Sequence, residues 1–97
     1  MAQVTRGAEL AAWIDDYLDY LLREWGGIPQ LATEWGEWDE ESKLHFVIDW
    51  PVCEDRLQQL HGWAAQKVLT RIQCARYAKL LKLVEAERPT LERLLAD

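Results

Sequence analysis

With 97 residues, 49% hydrophobic and 29% charged, the chain is long enough for one self-supporting domain, residues 1–97, and too apolar for a disordered one. No apolar run approaches the ~20 residues of a membrane span, and Met1 to Gly7 lacks a signal peptide's hydrophobic region, so the cytoplasm is the expected compartment. The formal charge of −6 is polarised: residues 1–55 carry three basic and thirteen acidic side chains, residues 56–97 eight basic and four acidic. The net acidity disfavours nucleic acid as a partner, while the asymmetry suits an oppositely charged protein surface, whether of another protein, of a second copy or of the chain's own other half folded against it.

The first element is expected from Ala8 to Trp25, with Thr5 as cap and Gly26-Gly27 as stop. Leu10, Trp13, Ile14, Tyr17, Leu18, Leu21, Leu22 and Trp25 cover about half the helical wheel, with Asp15, Asp16 and Asp19 opposite. So broad an arc calls for two neighbouring helices or the partner chain of a homodimer. Ile28 to Trp38 reads as a loop or a broken turn, because Pro29 ends a helix and Gly36 loosens the backbone between two tryptophans.

Asp39 caps the next helix, and Glu40 and Glu41 fill its first turn, where carboxylates meet unpaired amides. Phe46, Trp50, Cys53, Leu57, Leu60 and Ala64 recur at intervals of three and four, one seam of a helix reaching about Gln66. Residues 39–50 also alternate as a half-buried strand would, and Pro51 is expected to bend a helix near Val47 to Trp50 or restart it. Thr70 caps a further helix from Arg71 to about Arg88, whose apolar stripe is Cys74, Tyr77, Leu80, Leu81 and Val84. Pro89 separates it from a short amphipathic segment, Thr90 to Ala96. The fold class is therefore all-α: a bundle of three main helices plus a short C-terminal helix, with residues 39–50 extended as the alternative.

Glycine-rich phosphate loops, serine elbows and histidine–carboxylate metal signatures are lacking in the sequence. His45, Cys53, His61 and Cys74 have the right chemistry for zinc but no close pair, so no metal or cofactor is expected and both cysteines read as buried free thiols. Arg71, Lys79 and Lys82 align on one face, but without the tight turn of a helix-turn-helix they are as well suited to meeting the acidic first helix.

The stretch Glu34 to Glu41 joins two tryptophans to five carboxylates, a combination able to grip a basic, partly apolar protein surface. Trp35, Glu37, Trp38, Glu40 and Glu41 are the candidate partner-binding residues, with an inward-folded lid as the competing role for the two tryptophans. The expected function is a small acidic, non-catalytic interaction module: an adaptor, an antitoxin-like neutraliser or an inhibitor. An acidic mimic of nucleic acid that blocks a nucleic-acid enzyme is one alternative.

A second alternative rests on Arg56-Leu-Gln-Gln-Leu-His61, which resembles the short motif of the HEPN ribonucleases, all-helical domains whose arginine and histidine act across a dimer interface. The resemblance covers six positions and implies that Arg56 and His61 handle the scissile phosphate of RNA. Leu57 stands where that family usually has a small polar residue. On an ideal helix the two side chains diverge by about 140°.

Overall fold

The computed structural model describes the backbone of residues 2–96 and the side chains of residues 7–96. It is an all-α bundle, with no strand among the described residues. In chain order it contains α1 (Ala2–Gly26), α2 (Ile28–Glu34), a 3-10 turn (Trp35–Glu37), α3 (Glu40–Ala65) and α4 (Arg71–Ala96).

Both ends of α3 and the start of α4 have local causes. The Asp39 carboxylate accepts the Ser42 backbone N–H at 2.7 Å, which fixes residues 40–50 as helix and removes the extended alternative. At its other end α3 closes in a Schellman motif: the Lys67 N–H donates to Ala64 O at 3.1 Å and the Val68 N–H to Trp63 O at 3.3 Å, with Lys67 left-handed at φ 61°. Thr70 caps α4 as expected, through a reciprocal box with Gln73. The Gln73 N–H donates to Thr70 Oγ1 at 3.1 Å, and the Thr70 N–H to Gln73 Oε1 at 2.9 Å. The helix α1 begins before Thr5, whose side-chain role lies outside the described residues.

Two sequence expectations about proline are corrected. Residues 28–38 are not a loop but α2 and the 3-10 turn, because Pro29 sits in the first turn of α2, where a missing N–H breaks no helical bond. Thr90 to Ala96 is not a separate helix but the end of α4, which runs through Pro89, and α3 likewise continues through Pro51 without the restart that is the alternative to a bend. Both prolines are exposed, as is Glu85, whose carbonyl Pro89 leaves without a donor, so water can take up that bond.

The topology is up, down, up. Trp25 meets Trp50 and Tyr17 meets Trp63, so α1 and α3 are antiparallel. Glu54 pairs with Arg88 and His61 with Tyr77, so α3 and α4 are antiparallel as well. Gln73 and Arg76 reach Ala11, Asp15 and Asp19, which sets α1 parallel to α4. The broad arc of α1 is thus shared between two helices, except for Trp13, which is 58% exposed. Ile14, Leu18, Leu21 and Trp25 meet Trp50, Cys53, Leu57, Leu60, Leu80 and Leu91 in one core. The seam expected on α3 is its buried face, with Phe46 and Ala64 half-buried at its ends.

On α4 the stripe is rotated from the expected one. Cys74 and Leu81 are exposed, whereas Gln73 is buried alongside Leu80, Leu91 and Leu94, with Tyr77 and Val84 half-buried. Burial of Gln73 is compensated by four hydrogen bonds: the two of the box, and Nε2 donating to Ala11 O at 3.0 Å and Asp15 Oδ1 at 2.9 Å. Cys53 is a buried free thiol as expected, but Cys74 is an exposed one.

The molecule measures 52 × 24 × 17 Å, and its radius of gyration of 15.6 Å exceeds the about 13 Å of a compact chain this long. The bundle is a thin rod, so a helix can be covered on one side and bare on the other.

Candidate functional site

The candidate residues lie at the end of the rod where α2, the 3-10 turn and the start of α3 meet. The Trp38 N–H donates to Trp35 O at 3.1 Å, and Trp38 itself is extended, which turns the chain into the Asp39 cap. That turn stacks the two indoles with centroids 5.7 Å apart. From there the rings form a continuous chain inward: Trp35 to Phe46 at 5.6 Å, Phe46 to Trp50 at 5.4 Å and Trp50 to Trp25 at 5.2 Å. Edge-to-face and tilted pairs of this kind add attraction beyond their area.

The five candidates separate into layers. Trp35 is only 6% exposed and Lys43 Nζ lies 5.5 Å from its ring centroid, so this residue supports the surface from beneath. Trp38 is half-buried, while Glu37, Glu40 and Glu41 are exposed. A hollow of about 490 Å³ opens between Glu37, Trp38, Asp39, Ser42, His45 and Phe46. The Asp39 pKa is lowered, first by the Ser42 N–H it accepts, so the hollow keeps an ionised carboxylate at neutral pH.

A feature missed in the sequence runs along the outer side of α3. Leu44, Ile48 and Val52 recur every four residues and are 56%, 61% and 49% exposed. Glu40, Glu41, Asp49 and Asp55 surround them on the same exposed side. The four-residue spacing was the available signal, but Leu44 and Ile48 also fit a strand-like alternation and Val52 follows a proline. On the other flank, a smaller hollow of about 270 Å³ is lined by Trp35, Lys43, Leu44, Val47 and Leu95, among others.

Arg56 and His61 are directed to different helices. The Arg56 guanidinium lies 4.3 Å from the Tyr20 ring centroid on α1, while His61 Nδ1 is 2.5 Å from Tyr77 Oη on α4. Burial, then the charge of Arg88, pushes the His61 pKa down, and burial pushes the Tyr77 pKa up, so a neutral imidazole and a protonated phenol share this bond. The Cys53 thiol is raised to about 12, by burial first and then by Glu24 and Glu54, which keeps it protonated at neutral pH and a poor nucleophile.

Asp15 and Asp19 both pair with Arg76, joining the acidic first helix to the basic last one. Arg71, Lys79 and Lys82 remain exposed on the far side of α4. No three His, Cys, Asp or Glu side chains among the described residues converge as metal ligands, and no described helix is long and apolar enough to cross a membrane. In comparison with known proteins, the chain matches no family model, no curated protein and no solved structure.

Proposed function

We propose that this protein is a small non-catalytic interaction module, of the adaptor, neutraliser or inhibitor kind, whose partner presents a basic amphipathic helix to the outer side of α3. The observation that carries the reading is the exposed row Leu44, Ile48 and Val52 within an acidic rim. A helix that is apolar on opposite sides is normally covered on both. Here α1 covers the inner side through Trp25 and Trp50, leaving a strip about 12 Å long for a partner. Leucines at helical spacing would fill that strip while lysines beside them meet Glu40, Glu41, Asp49 and Asp55. Trp38 and Glu37 extend the surface towards the 3-10 turn, and Trp35 holds that end in place.

Charge also selects against one mode of homodimer. Pairing the row with itself would bring Glu41, Asp49 and Asp55 of two copies together, whereas the exposed Arg71, Lys79 and Lys82 face of α4 could approach the acidic rim of a second copy.

Two synthetic helical peptides with the same leucine stripe test the reading, one with a lysine-rich and one with a glutamate-rich polar face. The lysine peptide should bind at least tenfold more tightly by calorimetry. Ile48→Glu should remove most of that affinity with little change in melting temperature, because Ile48 is outside the core. Equal affinity for both peptides, or unchanged binding by Ile48→Glu, would refute the proposal. Concentration-dependent mass without peptide binding would instead assign the row to a second copy.

A further inference from the structure

The rings of this protein repeatedly carry its own cations. Arg56 lies over Tyr20 at 4.3 Å, Arg88 over Trp25 at 5.0 Å and Lys43 over Trp35 at 5.5 Å. Among the described residues Trp38 pairs with the rings of Trp35 and Phe46, and no Lys or Arg lies over it. Its hollow nevertheless holds the groups that complement a cation: a half-buried indole, the exposed Glu37 carboxylate and the ionised Asp39. Among the described residues Glu37 has no ion pair or side-chain hydrogen bond. The nearby Lys43 is already placed on Trp35 and lies 4.0 Å from Glu40.

From this arrangement we infer that the Trp38 hollow is a recognition site for an arginine side chain supplied by the partner. A guanidinium is planar enough to stack on an indole while its N–H groups reach a carboxylate at the edge, a combination that a lysine ammonium does not offer. The volume of about 490 Å³ admits the whole side chain together with part of its backbone. His45 borders both this hollow and the Leu44–Ile48 row on the helical wheel, so a helix on the row could extend an arginine into the site. The inference deepens the proposed binding surface and rests on it for the identity of the partner, but the site itself can be tested alone.

The probe is Nα-acetyl-arginine N-methylamide, compared with its neutral norleucine counterpart and followed through the Trp38 indole and the amides of residues 37–46 by NMR. The arginine compound should produce saturable shifts confined to these groups that weaken as salt is raised, and the norleucine compound should not. Glu37→Gln, at an exposed position, should weaken binding at least threefold with the spectrum elsewhere unchanged, and Trp38→Leu should abolish it. Matching shifts from norleucine, no saturable shift from arginine, or full affinity in Glu37→Gln would overturn the inference. Loss of arginine binding alongside intact lysine-helix binding would remove the site and leave the module, while the reverse would leave the site and remove the module.

Discussion

From Cys53 to Ala65, α3 shows solvent Asp55, Gln58 and Gln59, whereas from Glu40 to Val52 it shows Leu44, Ile48 and Val52. The inner side is apolar throughout, so core formation does not account for the difference. The means of attachment also change. The second half is tied to α4 by the His61–Tyr77 bond and a two-pronged Glu54–Arg88 pair, near the Gln73 network that joins α4 to α1. The first half relies on stacked rings, and the buried indole N–H groups of Trp25 and Trp50 have no hydrogen-bond acceptor among the described residues. One half of the helix has a polar exterior. The other retains an apolar exterior over an aromatic support, which is what an interaction surface requires.

The largest effect should come from cutting the shared inner face and comparing it with the outer one. Leu57 is buried at the centre of the core, so Leu57→Ala should cost about 2–5 kcal/mol and lower the melting temperature by on the order of 10 °C or more. Ile48→Ala should stay within about 0.5 kcal/mol of wild type. A comparable loss at both positions in thermal denaturation would mean that the outer row is structural and that the two halves do not differ in the way described.

A smaller effect is expected from the polar network at the closed end. Replacing Gln73 with leucine keeps the apolar bulk but leaves the Thr70 N–H and the Ala11 carbonyl without this partner, so Gln73→Leu should cost about 1–3 kcal/mol. Urea denaturation should show a lower midpoint with an unchanged slope, and binding at the far end of the rod should be unaffected. A neutral or stabilising result would show that the amide network is dispensable and that apolar packing alone holds this end.

The features legible in the sequence were those with causes close together in the chain. Asp39 and Thr70 lie beside the amides they cap, and the α3 seam repeats often enough to identify one buried face. Pro29 and Pro89 misled because a proline is compatible with a first turn or with an exposed carbonyl, and only the fold shows which applies. The burial of Gln73 was not legible, because its partners Ala11 and Asp15 arrive from some sixty residues away. The acidic–aromatic stretch was legible as a composition. The division of labour between Trp35 and Trp38 was not, since it depends on Phe46 and Trp50 arriving from another helix.

The smallest predicted effect tests the exit of α3. Lys67 adopts the left-handed conformation at φ 61° to complete the Schellman motif, a position where glycine avoids the clash between Cβ and backbone. Its side chain is exposed, so little packing is lost on replacement. The relieved strain exceeds the extra unfolded-state freedom of glycine, and Lys67→Gly should stabilise the protein by about 0.5–1 kcal/mol. Chemical denaturation should show a higher midpoint, while the affinity for the lysine-rich helix should not move, because the cap lies at the opposite end of α3 from Leu44 and Ile48. A gain in stability accompanied by a change in that affinity would couple the two halves energetically and break the separation on which the binding proposal depends.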